Sequence, residues 1–292
     1  LESVRVNDTT LRNVERSYGR TPDGQRLLDQ ETQEVSRSFA DGGRQVTRTT
    51  SSPDGNGTLQ VVQRQLIDSK QVSPGVRETN TTLFSADGSG GLAASVQIKE
   101  RERQTDPNNL EFTKSTSLSD GSGHWTLSEV REGATRPDAG GGSTKEERVL
   151  RPNADGKMAL AERTVSRQSA GGPGEQTGTT ETYSTNVPGQ AGDEGLRLVR
   201  RESTMQRVGA SGVRSTTRRL EQPNPGDSGT GLRLTQEAID IVRPGANGVA
   251  QQQSTIMTTD SNGRMNTVWV DMGTSDKPAA AQTNTAPAKK TK

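Results

Sequence analysis

Eight aspartates return along the chain in short turn strings, and their chemistry is the first to weigh: Asp23, Asp54, Asp87, Asp120, Asp155, Asp193, Asp227 and Asp260. Each has a glycine within three residues, as in SSPDGNGTLQVV (51–62), SADGSGGL (from 85) and LSDGSGHW (from 118). Carboxylate, glycine and small polar residues are ingredients of calcium loops. Calcium, however, takes roughly six to eight oxygens, and each string offers one carboxylate with no glutamate at loop spacing. Asp-Gly is also the pair tight hairpin turns select, because glycine reaches positive φ without steric cost and aspartate bonds its own backbone. Turn geometry accounts for both residue types, so the sequence assigns no metal. Gly55 and Gly88, the residues after Asp54 and Asp87, are expected at positive φ.

The remaining chemical candidates are sparse. His124 is the only histidine, in DGSGHWTL just after a turn, and a nucleophile would need a base placed far more specifically. Glu146 and Glu147 are adjacent, so on a strand they point to opposite faces and form no acid–base dyad. AGGGS and AGGPGE lack the Lys-Ser/Thr and helix of a phosphate loop and read as turns. Asn7, Asn56 and Asn80 open Asn-X-Thr strings that composition supplies readily by chance. Trp125 and Trp269 are too far apart to suggest a sugar platform and are expected to anchor a scarce core. No catalytic, cofactor-binding or metal residue is assigned, and the chain is not read as an enzyme.

The aspartates must be positioned by something regular. Successive spacings are 31, 33, 33, 35, 38, 34 and 33 residues. A fixed period of this size marks a repeat architecture. Each Asp is followed three to five positions later by an apolar residue: Leu27, Leu59, Leu92, Trp125, Met158, Leu196, Leu232 and Met265. A second set of turn strings lies between them: FADGGR (from 39), VSPGV (72), TDPNNL (105), DAGGGS (138), AGGPGE (170), VGASGV (208) and RPGANGV (243). Each repeat therefore reads turn, strand, turn, strand. The sequence predicts an all-β hairpin meander of about eight repeats and about sixteen strands, as an extended or rolled sheet with a thin core. LAASVQIKE (92–100) alternates well: Leu92, Ala94, Val96 and Ile98 are expected on one face, and Ala93, Ser95, Gln97 and Lys99 on the other. One face is expected to be weakly apolar and the other wet. The repeat domain is read as 1–274, with 275–292 as a flexible Ala/Thr/Pro/Lys-rich tail.

The turn string DG-x-G-x-L resembles that of the tyrosine-aspartate hairpin arrays of bacterial surface and toxin-shell proteins. The tyrosine is missing here and the period is longer, so the chain is not placed in that group.

Composition narrows the function classes. Hydrophobic residues make up 26 % of the chain and aromatics 2 %; compact domains run at about 45–50 % apolar with Gly counted, and since Gly adds 33 residues here the deficit lies in large side chains. Seven aromatic rings (2 Trp, 2 Tyr, 3 Phe) cannot fill a large core. With 37 basic and 36 acidic residues well mixed, there is no stripe to hold nucleic acid, and near-neutrality permits self-association. Abundant arginine suits two-point pairing with carboxylates across strands. Cysteine is absent, which excludes disulfides and thiol chemistry. No apolar run approaches a membrane helix, and too few aromatics are present for the girdles of an outer-membrane barrel, so membrane insertion is not expected. A chain starting at Leu1 reads as an exported, mature protein, located outside the cell or on its surface. The leading expectation is a structural subunit partnering copies of itself in a fibre, filament or sheath. Copies would stack, or pair the region from Val4 to Tyr18 with that from Val249 to Asp271 of a neighbour. The alternative is an adhesin-like or carbohydrate-binding module meeting surface polysaccharide.

Overall fold

The computed structural model describes residues 2–20, 22–185, 195–223, 231–245 and 249–275. Among them the chain forms seventeen strands and no helix. The chain divides into two compact units, Leu1–Pro137 with Lys145–Arg163, and Asp138–Thr144 with Thr164–Lys292.

The first unit contains β1 (Glu2–Asn7), β2 (Thr10–Arg20), β3 (Arg26–Ser38), β4 (Arg44–Pro53), β5 (Leu59–Ser73), β6 (Val76–Ala86), β7 (Leu92–Asp106), β8 (Asn109–Ser119) and β9 (Trp125–Pro137). Consecutive strands from β1 to β9 pair antiparallel, as the meander predicted. Next come β10 (Ser143–Pro152) and β11 (Met158–Ala170). In the second unit the same consecutive pairing runs through β12 (Glu175–Ser184), β13 (Arg197–Val208), β14 (Arg214–Pro223), β15 (Leu232–Pro244), β16 (Ala250–Thr259) and β17 (Met265–Ser275). The strand beyond the expected sixteen is β1, a six-residue strand that enters ahead of the first Asp turn. At the other end Ser275 pairs with Ala250, so β17 includes the residue at which the tail was expected to begin.

Turn chemistry explains the period better than the aspartates do. In the turn after β4, the Gly57 N–H donates to the Asp54 carbonyl (2.9 Å) and the Asp54 N–H to the Thr58 carbonyl (2.8 Å). This is a three-residue loop closed by a left-handed residue, and that residue is Gly57, at φ +80°. Gly88 does lie at positive φ as expected, but Gly55 does not, because it occupies an ordinary right-handed turn position. Left-handed glycines recur at Gly24, Gly57, Gly90, Gly123 and Gly156, always 33 residues apart. The uneven intervals around Asp23 and Asp155 came from misphased aspartates. In the fifth turn it is Asn153, 33 residues after Asp120, whose side chain accepts from the turn N–H groups. Asp193 and Asp227 lie outside the described residues, as does part of RPGANGV.

A second device keeps the same beat. The strands after seven of the eight Asp turns each carry one extra residue, a β-bulge. Register jumps past Asp29, Val62, Ser95 and Ser128, again 33 residues apart. In the second unit it jumps past Val199, Thr235 and Val268. Where the extra residue bears a hydroxyl, it donates to the partner strand's carbonyl at the jump. Ser95 reaches Leu83 (3.3 Å), Ser128 reaches Thr116 (3.0 Å) and Thr235 reaches Leu220 (3.0 Å).

The bulge overturns the expected facing of β7. Leu92 and Ala94 pair with Ala86 and Phe84, while Val96 and Ile98 pair with Leu83 and Thr81. Leu83 and Phe84 are chain neighbours and face opposite ways, so Leu92 and Ala94 lie on one face and Val96 and Ile98 on the other. An extra residue inverts side-chain parity, and alternation in the sequence cannot show it.

Within each unit every sizeable contact between described strands is with a neighbour or next neighbour along the sheet. The apolar side chains that count as buried are Val14, Val46, Val149, Val165 and Ala250. The expected contrast of one apolar and one wet face is replaced by half-burial on both. Gly133 shows how local the packing is: Phe112, directly opposite in β8, lays its ring where a Cβ at Gly133 would stand.

Glycine substitutions separate these roles. Gly57→Ala should cost about 1–2 kcal/mol, the penalty of a left-handed L-residue. Gly55→Ala, with nothing within 4 Å of its Cβ position, should leave stability near wild type. Gly75→Ala should cost more than either, because its residue sits at φ +73° and a Cβ would lie 2.3 Å from the Gln104 carbonyl oxygen. Urea unfolding of the full chain checks all three, and equal losses at Gly55 and Gly57 would refute the turn assignment.

Candidate functional site

The Asp turns use their carboxylates internally. Asp54 Oδ1 accepts from the N–H groups of Asn56 (2.8 Å) and Thr58 (2.9 Å). Asp87 accepts from Ser89 and Gly91, and Asp260 from Asn262 and Arg264. Among the described residues no group of three or more His, Cys, Asp or Glu is placed to hold a metal ion. These donors hold the carboxylates below their usual range: chiefly the Thr58 N–H at Asp54, the Ser89 hydroxyl at Asp87, the Ser122 hydroxyl at Asp120 and the Arg264 N–H at Asp260.

His124 does sit beside Asp120 and Ser122, which assembles the three residue types of a hydrolytic triad. The geometry is not that of a relay. Ser122 Oγ (3.1 Å) and Asp120 Oδ2 (3.3 Å) both approach Nδ1, whereas a triad places nucleophile and acid on different ring nitrogens. The group closes a turn. Glu146 pairs with Arg148 and Arg163 while Glu147 pairs with Arg131 and Lys145, so the two acids face opposite sides as expected. Asn7 accepts from Thr9 in a turn, Asn56 lies in the turn of Asp54, and Asn80 lies within β6.

Arginine–carboxylate pairs cross the strands in rows. In the first unit Arg16 meets Glu31 (2.7 Å) and Arg48 meets Glu34 (2.7 Å). In the second, Glu181, Arg201 and Glu221 stand directly opposite one another on three consecutive strands. Burial pushes the Glu181 carboxyl up, but Tyr183 and Arg201 outweigh it and hold it below its usual range. Such exposed pairs are worth about 0.2–1 kcal/mol each.

The feature that sequence reasoning missed is an apolar band. Following the registers from β2 to β9 puts Tyr18, Leu28, Pro53, Leu59, Val61, Phe84, Leu92, Ala94, Trp125 and Leu127 on a single face. All of them lie at the end of the sheet that carries the Asp turns. Tyr18, Leu59, Val61, Trp125 and Leu127 are 36–44 % exposed. Arg26 stacks on the Tyr18 ring at 3.9 Å. The second unit repeats the pattern by itself, with Tyr183, Leu198, Leu232, Leu234, Met257 and Met265 sharing a face with Glu181. The signal in the sequence was the apolar residue after each Asp turn, whose facing only the bulge fixes. Neither tryptophan anchors a core: Trp125 belongs to the exposed band and Trp269 is 47 % exposed.

Fold and surface define an all-β hairpin-repeat protein whose conspicuous surface is a band and not a cleft. Comparison with protein-family models, curated proteins and solved structures gives no match, and the functional reading rests on the chain's own geometry.

The turn carboxylates predict acid sensitivity with a defined sign. Their folded pKa values lie below the unfolded ones, so they contribute stability above about pH 4 that is lost as pH falls through the folded values. Asparagine keeps the Oδ1 acceptor, as Asn153 does in the fifth turn. The triple variant Asp54→Asn, Asp87→Asn, Asp120→Asn should therefore lose less Tm than wild type between pH 5 and pH 3. Parallel Tm-versus-pH curves for the two proteins would contradict this account.

Proposed function

We propose that the chain is a non-enzymatic structural subunit that associates with copies of itself, outside the cell or on its surface, to build a fibre, filament or sheath. The observation that carries this reading is the thin core: among the described residues five apolar side chains are buried, and the sizeable strand contacts within each unit run along the sheet. Apolar burial at about 25 cal/mol per Å² is the main term opposing chain entropy, and this sheet leaves much of its apolar surface in water. Association removes that surface from water. Strand β1 is exposed along its length, and in β17 Val268, Trp269, Val270 and Met272 are exposed, which also suits association through the terminal strands. A net charge of +1 at pH 7 sets little barrier between copies.

A surface module that binds polysaccharide is the second reading. It is favoured by Tyr18 and Trp125, exposed on one face and bordered by polar rows. The two readings separate on purified material. Self-assembly predicts concentration-dependent growth of sedimenting mass and ordered filaments or sheets in negative-stain micrographs. A monomer persisting at millimolar concentration, with polysaccharide bound, would replace the structural reading with the second.

A further inference from the structure

We infer that the first unit lengthens under tension by releasing one strand after another, so that the chain is an extensible element as well as a structural one. This goes beyond the self-assembly reading and concerns a single molecule. Three observations carry it. Each strand from β2 to β8 pairs with the strand before it and the strand after it in the chain. Sizeable contacts among β1 to β9 reach no further than the next neighbour. The buried apolar side chains of these strands are Val14 and Val46, so the ladder and the cross-strand pairs are the main things to break. An array whose members touch only their neighbours can come apart piecemeal.

The topology fixes the order of release. In β1, Ser3 pairs with Asn13 and Asn7 with Thr10. A pull on Ser3 across the sheet breaks its own rung first, then Val4 from Arg12, and so on to the turn. The load then passes to Thr10, the outer end of β2, which faces Arg37 of β3. Each turn hands the force to the near end of the next strand. Rungs worth about 0.5–1.5 kcal/mol net therefore break in series. Pulled along the strands, the rungs of a pair share the load. A repeat of 33 residues, the interval from Gly24 to Gly57, frees on the order of 110 Å of chain in exchange for about 10 Å of sheet width. Every partner is a chain neighbour, a local contact that re-forms quickly when tension drops.

The absence of native cysteine makes two introduced ones unique attachment points for handles in an optical trap. In the full chain, Ser3→Cys with Arg136→Cys loads β1 to β9 across the strands. Ala40→Cys with Ala86→Cys, before β4 and at the far end of β6, loads that trio along them; all four residues are exposed. Circular dichroism and Tm establish that each pair leaves the fold intact. The expected result across the strands is a series of steps, none longer than one repeat, that close again on relaxation. Along the strands the first rupture is expected at a force at least about two-fold higher, because the rungs act together. A single rupture that releases all nine strands at once would overturn the inference, and so would equal forces in the two geometries. A wild type that stays monomeric in sedimentation defeats the self-assembly reading and leaves this one standing.

Discussion

Backbone pairing between neighbouring strands carries this molecule, because within each unit the sizeable contacts run along the sheet and few side chains are buried. In a two-layer domain, apolar residues from facing layers fix how strands sit against each other. Here that task falls to ladder hydrogen bonds, each contributing about 0.5–1.5 kcal/mol net, and to side-chain pairs directly across strands. The Arg–Glu rows, the Phe112 ring over Gly133 and the hydroxyls at the bulges all belong to that second group. Each is local, and each presupposes the correct register. Register is therefore the quantity the sequence has to defend.

Two devices defend it, and they are phased to each other. In the first four Asp turns a left-handed glycine ends the turn, and five residues later the strand takes its extra residue: Gly24 and Asp29, Gly57 and Val62, Gly90 and Ser95, Gly123 and Ser128. The turn fixes which residues face each other at the strand start, and the bulge then reverses parity for the rest of the strand. Apolar residues before the bulge go to one face and those after it to the other. A strand that alternates regularly on paper thus serves two faces. The apolar band at the turn end is a direct consequence of where the bulge sits.

That coupling also decides what could be read in advance. The period, the hairpins and the absence of helix were legible, because turn residues and β-rich segments are local signals. The cross-strand charge rows followed from arginine's pairing geometry. The phase was not legible: Asp155 and Asn153 sit two residues apart in one turn, and only the hydrogen bonds tell which takes the role of Asp120. For the same reason Gly55 looked like a left-handed residue when Gly57 is one. The facing of Leu92 and Ala94 was lost to Ser95, whose bulge conformation no residue type announces. The candidate surface was missed altogether, since it exists only after seven register relations are combined.

The titratable groups at the turns and in the charge rows are engaged with the fold itself. A catalytic group needs hydrogen-bonding capacity left for a substrate. The carboxylates of Asp54, Asp87, Asp120 and Asp260 bond their own turns, Glu129 is held by Arg131 and Arg151, and His124 Nδ1 faces both Ser122 and Asp120. The apolar band is laid out with the periodicity of the backbone. A surface of that kind recognises shape and pitch more than functional groups. Its step cannot change without changing the turn and bulge that set the fold, so the band and the fold answer to one register.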